Sequence, residues 1–393
     1  MPSNIKNRGG SASMNSGGGY GSGGGNGFKP LGLSDEVYKG VVRMGFRNPT
    51  PVQRKALPVV LSGVDTVVMA RTGSGKTCAF LIPLLERLLA QQQQLSTNAQ
   101  SSTCRALILS PTRELSLQTL RVLKKLSHFV PDIRAIGIHG GEGMERQFDL
   151  LASKPTVIVA TPGRLAHHLT EIPDFSLRNC TLCILDEADR LMEMGFASQL
   201  RQIARTLPGG GPHDDASASA LCQKVLLSAT MPKSLVEFTK SGCFCAPDPH
   251  VVRLDSEATV SEELRISFIN CRSMEKDAAL MHILHHIEQD RDEAKEETRT
   301  GRTLIFCATR HHVEYVANLI NAANSSSETA SPATYLYGTL DPAARNTNLA
   351  SFRNGTKPIL VTTDVAARGI DVPMIVRRNS FEIINSPRGV HCP

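Results

Sequence analysis

The stretch VVMARTGSGKTCAFLIP, residues 67–83, constrains this chain more than any other. Val67 to Met69 reads as a short buried strand, and the run from Cys78 to Leu85 reads as a helix. Between them ARTGSGKT fits the pattern G-x-x-x-x-G-K-[ST], except that Ala70 stands at the first glycine position. Gly73 and Gly75 let the backbone turn its N–H groups toward a phosphate. Lys76 is suited to the β/γ oxygens and Thr77 to a Mg²⁺ ion. The whole loop, Ala70, Arg71, Thr72, Gly73, Ser74, Gly75, Lys76 and Thr77, is therefore assigned to a nucleotide.

A nucleotide-cleaving site also needs a metal-side carboxylate and a group to orient water. ILDEADRL, residues 184–191, supplies both. Ile184 and Leu185 end a buried strand, which delivers Asp186 and Glu187 to the carboxyl edge of a parallel sheet, where such sheets bind ligands. Asp186 is the metal residue and Glu187 the general base.

Around these motifs, strand-like runs alternate with helical patterns: VVMA, RALILS, IGIH, TVIVAT, LCILD and KVLLS. That rhythm predicts α/β architecture, a parallel sheet covered by helices, over residues 28–250. A second series, ISFINC, TLIFCAT, TYLYG and PILVTTD, predicts another parallel-sheet domain over 264–373, with 251–263 as the linker. The 393 residues suffice for two domains. Residues 1–27, nearly all Gly, Ser and Asn, bury too little apolar surface to order themselves and read as a flexible tail. AQQQQLSTNAQSS and GGGPHDDASASA read as surface loops.

No run approaches the 18 apolar residues of a membrane span and MPSNIKNRGG has no apolar signal core, so a soluble intracellular protein without membrane contact is expected; a monomer is expected as well. The ten cysteines are scattered and read as reduced; Cys180 and Cys183 form a lone CxxC, read as strand positions and not as zinc ligands. A net charge of +6 is compatible with an anionic partner but too small to argue for one.

Further strings then follow in order: GFRNPTPVQ (45–53), PTREL (111–115), Gly140–Gly141, TPGR (161–164), DEAD (186–189), SAT (228–230), LIFCAT (304–309) and TTDVAARGID (362–371). The set resembles the DEAD-box ATP-dependent RNA helicases over about residues 28–373. The resemblance implies two RecA-like domains in tandem, ATP and Mg²⁺ as cofactors, and RNA bound by its backbone. By matching position, Phe28 stacks on adenine, Gln53 reads its edge and Asp371 approaches the ribose. Pro111, Thr112, Arg113, Gly141, Thr161 and Arg164 line an RNA track on the first domain, which Thr309, Arg310 and Thr362 continue on the second. Ser228, Ala229 and Thr230 couple that track to ATP. Loops of this kind carry no base readout, so binding is expected to be sequence-independent and salt-sensitive. MARTGSGKT, RALILSPTREL, DEADRLMEMGFA, the LPGG following it, RHHVEY and LDPAARNTNLASF are most similar to the nucleolar branch that assembles the large ribosomal subunit, which implies pre-ribosomal particles as partners and a nucleolar or nuclear location.

Other features have plainer readings. His282, His285 and His286 sit at helical spacing without an evident fourth ligand and read as a polar face; His311–His312 read as flanking a helix. After GIDVP the family's HRxGRxGR-type arginine motif is expected, but the chain runs MIVRRNSFEIINSPRGVHCP instead. Arg377, Arg378 and Arg388 lack its spacing. Residues 374–393 thus read as a non-family tail from a truncated or frame-shifted gene reading or a short isoform, leaving the second domain incomplete with a bare sheet edge. The rival reading is a catalytically impaired ATP- and RNA-binding chain; a DNA motor with a similar phosphate loop is a third, which the motif set disfavours.

Overall fold

The computed structural model describes residues 27–94, 104–209, 222–254 apart from 243 and 247, 269–293, 302–324, 332–363, 366 and 379–382. The N-terminal tail to residue 26, most of the expected linker and residues 210–220 of the second low-complexity insertion lie outside them.

Seven strands form the first sheet: β1 (Thr66–Met69), β2 (Ala106–Leu109), β3 (Ala135–Ile138), β4 (Val157–Ala160), β5 (Leu182–Leu185), β6 (Gln223–Ser228) and β7 (His250–Arg253). Their order is β3-β4-β2-β5-β6-β1-β7, with every neighbour parallel. β2, β4 and β5 are buried along their whole length, as strands covered on both faces must be, and they read as continuous apolar runs. Alternate residues feed two cores. Ala106 and Ile108 face a core with α1 (Asp35–Arg43), α2 (Pro51–Leu61), α3 (Lys76–Gln94) and α4 (Arg113–Leu126). Leu107 and Leu109 face another with α5 (Met144–Ala152), α6 (Pro162–Glu171), α7 (Ala188–Glu193), α8 (Ala197–Ala204) and α9 (Lys233–Lys240).

Two expectations need correction in this half. HVVR forms β7 beside β1, so the sheet runs past residue 250, where the linker was expected to begin. Only Val252 of this edge strand is buried, which leaves a weak apolar signal. The Gln91–Gln94 run, expected in a loop, continues α3, since glutamine propagates a helix well.

The second sheet has the order β11-β8-β10-β9, built from β8 (Thr303–Phe306), β9 (Ala333–Leu336), β10 (Ile359–Thr362) and β11 (Asn379–Glu382), again all parallel. Helices α10 (Lys276–Glu293), α11 (Arg310–Ala323) and α12 (Pro342–Arg353) accompany it. Of the strand expected at ISFINC, residues 266–268 lie outside the described residues and 269–271 are not extended into a sheet. The bare edge expected on this sheet is not found at β8: β11, from the segment read as a non-family tail, pairs with it from Asn379↔Thr303 to Glu382↔Phe306.

The two halves meet at an ion pair. Glu114 in the first turn of α4 lies 2.7 Å from Arg345 on α12. That guanidinium also donates to the carbonyls of Tyr337 (3.2 Å) and Ala366 (3.5 Å). No described helix is long and apolar enough to cross a membrane.

Candidate nucleotide and RNA-backbone site

β1 ends at Met69 and the chain turns through Ala70–Gly75 into α3. Gly73 and Gly75 both have positive φ, 80° and 94°. At Gly75 a side chain is doubly excluded, because a Cβ would fall 2.7 Å from Gln53 Nε2 and 3.0 Å from Thr50 Oγ1. Lys76 is buried and its ammonium donates to the Ala70 carbonyl, which folds the side chain back over the loop. Arg71, Thr72 and Gly73 are exposed, while Ser74 and Thr77 are half-buried.

Gln53 reaches this loop from α2. Its Nε2 donates to Gly75 O (3.0 Å), and its Oε1 accepts from Thr50 N (3.0 Å), closing a capping box at the helix start. The side chain expected to read a base is thus engaged with the phosphate loop and its own helix. Phe28, expected to stack on adenine, is only 2% exposed and belongs to the first core. Here the ring offers no open face: burying it among α1–α3 satisfies its apolar surface.

β6 lies between β1 and β5, so its end brings the three motifs together. Ala70 N donates to Ser228 O (3.1 Å), and Ser228 Oγ donates to Thr230 O. Asp189, buried one turn after the strand end, accepts from both Thr230 N (3.0 Å) and Thr230 Oγ1 (2.8 Å). Ala229 between them is exposed. This carboxylate, present in the quoted DEAD string yet given no role there, ties the acidic motif to SAT.

Asp186 is 4% exposed, and its carboxyl is pushed up to about 7, first by burial and then by the charge of Glu187, with Lys76 opposing. A buried acid raised in this way fits a divalent cation, whose charge would favour the carboxylate. Glu187 caps α7 with φ 50°, ψ 56°, a left-handed conformation rare outside glycine, and its Oε2 lies 3.5 Å from Arg190 Nε. Strain of this kind collects at functional sites.

The expected backbone track runs along the same sheet edge. Thr112 caps α4 through Leu115 N (3.3 Å), leaving Arg113 half-buried at its first position; Pro111 is itself buried. Arg113 donates to Gly141 O (3.1 Å) and to Glu142 Oε1 (3.2 Å). Gly141 needs its φ of 81°. Thr161 caps α6 without a side-chain bond, and Arg164 lies against Met144. Beneath them Gln147 donates to His139 O (2.8 Å) and meets His168 Nε2 (2.8 Å).

In the second half Thr309 caps α11 through His312 N (3.3 Å), and Arg310 is exposed beside it. Thr362 corrects an expectation: as the last residue of a central strand it is fully buried, and its hydroxyl donates to Thr363 O (3.1 Å). Thr363, half-buried, is the residue at the surface there. Asp371 lies outside the described residues. His282 and His286 touch at 3.2 Å on an exposed face, and no group of three metal-binding side chains occurs among the described residues. Cys180 and Cys183 are buried, and burial pushes both thiols up.

The family description "DEAD/DEAH box helicase" matches residues 50–238, and "Helicase conserved C-terminal domain" matches 275–382. The second match runs past 373, where the resemblance was expected to end, and takes in β11. The "ATP-dependent RNA helicase dbp-10" of Neurospora crassa is 40% identical over 388 residues, 93% of this chain and 38% of that protein. "ATP-dependent RNA helicase DDX54" of Mus musculus is 42% identical over 349 residues, 89% of this chain and 36% of that one. The chain therefore spans well under half of either relative. Among solved structures, Mss116p bound to ssRNA and AMP-PNP matches with TM-score 0.73 and 26% identity, over 90% of this chain and 67% of that one. Dbp5 of S. cerevisiae bound to RNA and ADP BeF3 gives 0.69 and 25%, over 89% and 78%.

Proposed function

The chain belongs to the DEAD/DEAH box helicase family, and on that premise we propose that it couples ATP binding and hydrolysis to local separation of RNA strands or remodelling of RNA–protein particles. The observation that carries this reading is the Asp189–Thr230 pair. It ties the acidic motif to the SAT segment, whose Ser228 carbonyl accepts from Ala70 N of the phosphate loop. Lys76 holds the phosphates and Glu187 takes the proton of the attacking water. Thr77 and Asp186 would hold Mg²⁺, partly through water, and the ion would neutralise charge on the transferred phosphoryl group.

Thr112, Arg113, Gly141, Thr161 and Arg164 offer a hydroxyl, a guanidinium or a backbone group to phosphates and sugars, with Thr309 and Arg310 opposite. Thr363 takes the place assigned to Thr362. Gln53 acts on the nucleotide through Gly75. A pre-ribosomal RNA substrate and a nucleolar location rest on the strings quoted for that branch.

The test is phosphate release with single-stranded RNA, with DNA and with neither. Stimulation by RNA alone is expected; equal stimulation by DNA would reject the RNA reading. The impaired-turnover alternative predicts normal ATP and RNA binding with little release under any condition. Asp189→Ala should keep ATP binding while losing about tenfold or more of the RNA-stimulated component, since it removes a charged acceptor of two hydrogen bonds. Stimulation that survives in Asp189→Ala would show that coupling runs elsewhere.

A further inference from the structure

Arg113 is not waiting open for a phosphate. Its guanidinium is shared between the Gly141 carbonyl and the Glu142 carboxylate, at 3.1 and 3.2 Å, and both charged side chains remain partly exposed, 24% and 22%. The carbonyl fixes where the guanidinium points. The carboxylate occupies a bonding edge that an RNA phosphate would use, since guanidinium binds carboxylate and phosphate by the same geometry. The two anions cannot share that edge without repulsion, so one must leave.

A second position for the displaced carboxylate lies alongside. His139 is 1% exposed, and its Nδ1 has no hydrogen-bond partner among the described residues. That nitrogen is 3.9 Å from Glu142 Oε1, beyond hydrogen-bond range but within reach of a small side-chain movement. Burial holds the imidazole neutral, with Glu142 and Glu114 acting against that and Arg113 with it. A neutral ring with its proton on Nδ1 is a donor, so it can receive the carboxylate without taking up a proton.

We propose that Glu142 is a carboxylate latch on Arg113: it holds the arginine in the RNA-free protein and moves to His139 when an RNA phosphate takes its place. Resting on the RNA-backbone reading of this track, the inference adds a residue that sets affinity while touching no RNA itself. The latch makes phosphate binding an exchange of anions. It lowers affinity for every single strand alike and disfavours weaker anions at Arg113.

The test is a double-mutant cycle on an unstructured RNA oligonucleotide of fixed length, with Kd measured over a salt series. Glu142→Gln keeps shape and neutralises the competitor, and it should tighten binding by about two- to fivefold, the range for a partly exposed ion pair. The salt slope should stay unchanged, because the number of phosphate contacts is the same. Arg113→Ala should weaken binding and flatten the slope by about 0.7, one phosphate contact on a single strand. In the double variant the gain from Glu142→Gln should vanish. A gain of equal size in the Arg113→Ala background would overturn the latch and leave only long-range charge. No gain in the single variant, with Arg113→Ala still weakened, would also overturn it. If Arg113→Ala binds RNA as well as the unmutated chain, the track reading itself fails.

Discussion

Glu187→Gln should bind ATP as tightly as the unmutated chain and release phosphate about 10²-fold or more slowly, the range for removing a general base. Gln keeps the volume and the left-handed turn of the backbone, so α7 and its contacts are retained. What disappears is the basic oxygen. Glu187 follows directly on the buried Asp186, whose carboxyl is pushed up to about 7, and its Oε2 stands 3.5 Å from Arg190 Nε. Single-turnover phosphate release beside equilibrium binding of a non-hydrolysable analogue separates the two effects. Undiminished release would remove Glu187 from the role of base.

Lys76→Ala should lose about 10- to 100-fold in ATP affinity, corresponding to the ~1.5–3 kcal/mol of a hydrogen bond to a charged group. The ammonium is buried and already bonded to the Ala70 carbonyl over the loop, so little ordering remains to be done when phosphate arrives. Lys76 also opposes the rise in the Asp186 carboxyl, so its loss harms the metal side as well. RNA binding in the absence of nucleotide should be unaffected. ATP titration of the variant by fluorescence or calorimetry checks this, and an affinity within twofold of the unmutated chain would contradict it.

The sequence told most where backbone and chemistry are local. The phosphate loop, the acidic strand end and six strands of the first sheet each combine an apolar run with turn or charge residues next to it, and those are patterns a one-dimensional string can carry. β7 was missed because an edge strand buries one residue in four and leaves no clear period. β11 was missed because its pairing with β8 is decided by a partner far away in sequence. Side-chain engagement was least legible. Gln53 and Phe28 were assigned to adenine from position alone, while in the folded chain one amide is spent on Gly75 and Thr50 and the ring lies in the core. Thr362 shows the same limit by one residue: the strand's end buries it and leaves Thr363 outside. Glu142 on Arg113, and Glu114 on Arg345, are long-range pairs with no signal in spacing.

Arg345 shows what the second half contributes. Its guanidinium gathers Glu114 from the helix that carries Arg113, the Tyr337 carbonyl and the Ala366 carbonyl behind Thr363.

Coupling between the nucleotide site and the RNA track is the central claim, and it is reciprocal by thermodynamic necessity. The direct measurement is the Kd of a non-hydrolysable ATP analogue with and without saturating single-stranded RNA, and of the RNA with and without the analogue. Each ligand should tighten the other by the same factor, about fivefold or more. Affinities for either ligand that do not change when the other is saturating would contradict it.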